Sequence, residues 1–171
     1  MKKWLFIFVV LACCAGKLAA QSADGEFDLK AVFIYNFTRY IEWDTTKMQD
    51  EFVIGVMGSS PISNALSEIA ARRLVRNKRI TIRVCNRVED IRGCQVLFIP
   101  KQTSLPLSTI LLSTPKGTLT VSESPGSAME GTAFNFILLN NKLKFEANLR
   151  ALTNAGLKAG SQLLKLAIIV Q

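Results

Sequence analysis

The spacing of apolar positions changes several times along the chain, and each change marks an element. Residues 28–43 (DLKAVFIYNFTRYIEW) put Phe33, Phe37, Tyr40 and Ile41 at helical spacing, with Asp28 placed to cap the start, so the segment predicts an opening helix. The run 52–57 (FVIGVM) is continuously apolar and stops at Gly58, as a strand buried on both faces does. Ser60 then stands as an N-cap with Pro61 at the first helical position, predicting a helix over 63–74. Alternation returns at 80–85 (ITIRVC), a second buried run follows at 96–100 (VLFIP), and 107–112 predicts a short helix. Residues 118–122 (TLTVS) predict a further strand. Segments 133–139 and 143–147 flank Asn140-Asn141-Lys142, and asparagine tolerates the positive φ of a tight hairpin. Asn148 is placed to cap a helix over 149–155 that Gly156 stops, and Ser161 to cap a last helix over 162–169.

Strand and helix signals therefore alternate. They predict a single compact α/β domain: a mixed β-sheet flanked by helices, with a C-terminal β-hairpin and a helical end. No repeat, linker or low-complexity run divides it.

Residues 1–20 read differently. Lys2 and Lys3 precede an unbroken apolar run from Trp4 to Ala15, and Leu18-Ala19-Ala20 offers small residues for cleavage, so this segment predicts a secretory signal peptide and 21–171 an exported, periplasmic domain. The apolar run is too short to cross about 30 Å of hydrocarbon. A rival cut exists at Val10-Leu11-Ala12-Cys13, which resembles a lipobox and would leave a lipid anchor on Cys13.

Composition narrows the chemistry. Across 171 residues, 49% are apolar and 20% charged, which excludes a disordered tail. The chain has no histidine, so Ser-His-Asp and Cys-His catalysis, His-ligated zinc and an imidazole base are all excluded. No nucleophile has a recognisable base near it, and Ser161 with Lys165 is too common a pair to signal catalysis. The turn from Gly55 to Ser60 lacks both G-x-G-x-x-G and a P-loop lysine. The chain thus reads as non-enzymatic, with no cofactor or metal implied.

The formal charge of +8 falls when Lys2, Lys3 and Lys17 leave with the signal peptide, but a basic stretch remains. Arg72, Arg73, Arg76, Lys78, Arg79, Arg83, Arg87 and Arg92 face only Glu89 and Asp90. An exported protein meets no nucleic acid routinely, which leaves an acidic partner surface, an anionic small molecule or a solvated face. Arg76 and Arg79 are the candidates for a partner contact. Cys13 and Cys14 leave with the signal peptide, and Cys85 and Cys94 remain. In an oxidising compartment such a pair is expected to bridge, and without Cys-x-x-Cys a redox site is the weaker reading.

Two further groups stand out. Tyr35, Phe37, Tyr40 and Trp43 are more aromatics than one helix face can bury on one sheet, so Tyr35, Tyr40 and Trp43 are candidates for a dimer or partner surface, with ordinary core packing as the alternative. Glu146, Asn148 and Arg150 sit at a strand-to-helix junction, where Glu146 and Arg150 could pair and Asn148 could cap. The alternative is a polar floor for a ligand.

Five blocks in order carry a resemblance: 31–37 (AVFIYNF) with Trp43, 52–58 (FVIGVMG) with Pro61, 94–99 (CQVLFI), 119–122 (LTVS), and 145–149 (FEANL) through Ala155-Gly156-Leu157 to 161–167 (SQLLKLA). Together they are similar to the YfiR family over nearly the whole exported chain. That resemblance implies a periplasmic, dimer-forming regulator that restrains a membrane-bound diguanylate cyclase through its periplasmic sensor domain. This chain departs from the pattern twice. The histidine frequent after the cysteine that opens the third block is Gln95 here, and 133–147 holds no cysteine for the family's second disulfide. The leading expectation is an exported regulatory protein acting on a membrane cyclase or sensor kinase. The alternative is a periplasmic small-ligand binding protein serving a transporter or receptor.

Overall fold

The computed structural model describes residues 25–44 and 50–170; the expected signal peptide and Cys13 lie outside them. Helix α1 occupies 25–40 and buries Lys30, Ala31, Ile34, Phe37 and Thr38, one stripe at three- and four-residue spacing. Asp28 lies inside this helix and is exposed, so it does not cap the start. After Tyr40 the chain extends into β1 (Ile41–Glu42). The sheet then begins with β2 (Glu51–Met57), α2 (Ile62–Ala70), β3 (Leu74–Val75) and β4 (Lys78–Cys85). A 3-10 turn at Val88–Ile91 leads into β5 (Val96–Ile99), α3 (Leu107–Ser113) and β6 (Leu119–Ser122). Last come α4 (Ser127–Glu130), β7 (Phe134–Leu139), β8 (Lys142–Asn148), α5 (Leu149–Asn154), β9 (Lys158–Ala159), α6 (Ser161–Leu164) and β10 (Ile168–Val170).

Eight strands form one sheet in the order β10-β8-β7-β6-β5-β2-β4-β3, and β1 pairs with β9 apart from it. Strands β4, β2, β5, β6 and β7 are parallel, joined by crossovers, while β3 and β8 add antiparallel neighbours. The chain is thus the predicted α/β domain with a mixed sheet. A parallel centre must be covered on both faces, which is why β2 and β5 read as unbroken apolar runs. On the first face Phe52, Ile54, Val56, Phe98, Val121, Phe134 and Phe145 meet α1, α2 and the C-terminal helices. On the second, Val53, Met57, Leu97 and Ile99 meet Ile91 and Ile110 from the 3-10 turn and α3.

Further sequence expectations are corrected. Helix α2 stops at Ala70, because Leu74-Val75 pair back on β4 through Arg76 and Asn77, which hold φ of 50° and 67°. Ser60 does not cap α2; the preceding position is Pro61, with no side-chain cap bond. The last helix ends at Leu164, and Gly160 rather than Ser161 precedes it. Ile168-Ile169-Val170 is a β-branched run, and it pairs parallel with Glu146–Asn148 as a new edge strand. The hairpin turn at Asn140-Asn141, with φ of 52° and 58°, and the Gly156 stop, with φ of 73°, are as the sequence implied.

Candidate functional site

Cys85 closes β4 and Cys94 stands just before β5, so the sheet brings both onto its second face against Gly55 of the strand between them. The structure holds them as buried thiols. Both sulfurs approach one oxygen: Asp90 O lies 3.5 Å from Cys85 Sγ and 3.8 Å from Cys94 Sγ. Arg83 Nη1 donates to Arg92 O at 2.8 Å and Asp90 O at 3.3 Å, which parks its charge 4.0 Å from Cys94 Sγ. The Cys94 thiolate would accept from Cys85 and face Arg83, so its pKa is drawn down despite burial. Cys85 keeps its proton: donation to Cys94, and then burial, push its pKa up. Gln95 is structural, its Oε1 accepting from Val53 N at 2.6 Å and its Nε2 donating to Gly93 O at 3.1 Å.

The aromatics separate. Trp43 is 7% exposed and meets Phe52 edge-on at 5.3 Å, so it belongs to the core and not to the surface proposed for it. Tyr40 is 38% exposed, and Tyr35 is half-buried with its hydroxyl 3.5 Å from Leu74 O. These two alone remain available to a partner.

The basic stretch separates too. Arg76 Nη2 donates to Ile41 O at 3.1 Å, tying the β3–β4 turn to β1. Arg87 pairs with Asp90 at 3.5 Å, and backbone donors at Arg87 and Asn86 hold the Asp90 carboxyl below its usual range. Arg79 is exposed and lies across from Glu51 in the β2–β4 register.

At the junction, Asn148 caps α5 as expected: its Oδ1 accepts from Ala151 N at 2.9 Å, and its Nδ2 donates to Ala128 O at 2.7 Å. Glu146 does not meet Arg150. Side chains alternate along β8, so Glu146 reaches sideways to accept from Asn135 Nδ2 at 2.9 Å, while Arg150 is exposed on α5. Asn135 in turn accepts from Ser122 Oγ at 2.8 Å, and Ser122 meets Thr132 Oγ1 at 2.8 Å. On the second face over β6–β8, Ser122, Thr132, Asn135 and Glu146 therefore form a polar ladder whose members satisfy one another, where each orphaned group would cost about 1–3 kcal/mol.

Sequence reasoning missed Lys30. It is 6% exposed, and its Nζ lies 2.6 Å from both Glu26 Oε1 and Glu123 Oε2, locking α1 to the end of β6. Glu123 also accepts from Lys101 N at 3.0 Å. A lysine on an apolar helix stripe, four residues after a glutamate, was the available signal.

Fold and site together define a small doubly wound α/β domain whose polar residues mostly brace the sheet. A family model described as YfiR/HmsC-like matches residues 27–168, which runs from α1 into β10, and the chain belongs to that family. The family is one of periplasmic regulators in cyclic-di-GMP signalling, not of enzymes.

Proposed function

We propose that the exported protein restrains a membrane-anchored signalling enzyme, a diguanylate cyclase or a sensor kinase, by binding its periplasmic sensor domain. The family match over residues 27–168 carries this reading, since it takes in nearly every element of the domain. The leader-like pattern of residues 1–20 supports export to the periplasm, and exposed Tyr40, half-buried Tyr35 and exposed Arg79 are the surface offered to a second copy or the partner. Restraint by binding needs differential affinity: about tenfold suppression requires holding the inactive conformer about 1.4 kcal/mol more tightly than the active one. Deleting the gene in its own host tests the reading. Cyclic-di-GMP and surface attachment should rise. Unchanged cyclic-di-GMP in a host that makes it removes the cyclase as target, and phosphorylation of a co-purifying kinase, with and without the protein, then decides the remaining case.

A further inference from the structure

On the second face, α3 and α4 stand around β6 and, with α5 at the end of β8, leave a cleft of about 390 Å³. Its floor is polar and buried. Thr118 Oγ1 is used, donating to Cys94 O at 2.9 Å, and both ends of the Asn148 amide hold the junction. Thr120, 6% exposed, receives Ala133 N–H on its Oγ1 at 2.8 Å; among the described residues, nothing accepts the proton of its own hydroxyl. The cleft therefore presents one buried donor without a protein acceptor, which leaves a hydrogen bond for an occupant to complete.

Its rim is cationic. Lys116 comes from the turn before β6 and Arg150 from α5; both are exposed, and neither has an ion-pair partner among the described residues. No aspartate or glutamate lines the cleft, so nothing in its wall offsets either charge. The two walls are tied together, because Gly117 N donates to Ala155 O at 2.7 Å, just past the end of α5. That tie fixes the backbones bearing the two cations before any ligand arrives, which lowers the ordering cost of binding. Leu111 and Met129 add apolar surface for a carbon body. The volume sits at the low end of the roughly 300–1,000 Å³ of small-molecule sites.

We propose that this cleft binds a small dianionic molecule, with Lys116 and Arg150 holding the charged groups and the Thr120 hydroxyl donating from below. It is independent of the partner assignment and would give a regulator a chemical input.

Calorimetric titration of the exported protein with succinate and with inorganic phosphate, at ionic strength held constant with sodium chloride, tests it. Saturable single-site binding of at least one dianion is expected, weakened about tenfold in Arg150→Gln and in Lys116→Gln, and unchanged in Arg92→Gln. Which probe binds separates a dicarboxylate site from a phosphate site. All three substituted side chains are exposed, and circular dichroism confirms that each variant folds. Absence of saturable heat with both probes, or equal binding by wild type and both rim variants, overturns the proposal.

Discussion

The Cβ that Gly55 lacks would stand 2.8 Å from Cys94 Sγ and 3.1 Å from Cys85 Sγ. Gly55 has no need of unusual backbone freedom in mid-strand; it is there because two sulfurs occupy the space above it. Gly55→Ala should therefore destabilise the domain by about 1–3 kcal/mol, the usual cost of overpacking. Adding Cys94→Ala in the same chain should return part of that loss. Chemical denaturation of the single and double variants measures both, and equal midpoints for Gly55→Ala and wild type would sink the account.

The same neighbourhood makes Cys85 and Cys94 the pair expected to bridge after export. Mass spectrometry of unreduced periplasmic protein should find it two hydrogens lighter than the dithiol form. Closing so short a loop should add about 2–3 kcal/mol, measured by unfolding with and without reductant. Two freely alkylated thiols in freshly isolated protein would refute the bridge.

Lys30 predicts a pH dependence. Burial opposes its charge, but the hydrogen bonds it donates to Glu123 and Glu26, with the attraction of their charges, outweigh burial and hold its pKa above the ordinary 10.5. Its contribution is thus fully present below 10.5 and fades as pH climbs through the higher folded value. Lys30→Met leaves Glu123 without its cation and should cost about 3 kcal/mol at neutral pH. Its stability should also fall less than that of wild type on going to strongly alkaline solution. Parallel pH profiles of the two proteins would contradict this.

How much of this the sequence revealed depended on how local the cause was. The buried runs of β2 and β5, the Asn140-Asn141 turn and the Asn148 cap each rest on a few adjacent residues, so they were legible. The end of α2 was not: Leu74-Val75 becomes a strand because β4 lies ready to pair with it, and helix propensity loses to that tertiary contact. The C-terminal run failed likewise, since Ile168-Ile169-Val170 fits a helix stripe until β8 offers an edge. At the candidate sites, chemistry was visible but aim was not. Glu146 and Arg150 have helical spacing, yet a strand and a helix meet between them and send the side chains apart. The cleft around Thr120 draws on α3, α4, α5 and the strands β6 and β8, which no single window of sequence contains.

Self-association should respond to Tyr40 and Tyr35. Alanine at both should shift a dimer toward monomer in analytical ultracentrifugation while circular dichroism stays unchanged, because aromatic anchors dominate interfaces. Trp43→Ala should instead unfold the protein, losing about 3–5 kcal/mol of core packing.

Charge reversal separates Arg79 from Arg76. Arg79→Glu should slow association with an acidic partner strongly at low salt and little at high salt, as steering does. Arg76→Glu should also lower stability, since it removes the bond to Ile41 O. Association kinetics across a salt series give the comparison.

The packing of Phe37 against Phe134 and Phe145, at 4.8 and 4.9 Å, sets the order in which the molecule can be born. A chain threaded through a membrane leading end first delivers α1 to the far side long before the β7–β8 hairpin that covers its aromatic stripe. Until then the stripe stays wet and adhesive, and the β10 edge, which follows the hairpin in the chain, is laid later still. For a chain exported in this way, folding would follow transit, because the contacts that cover α1 close its longest loops.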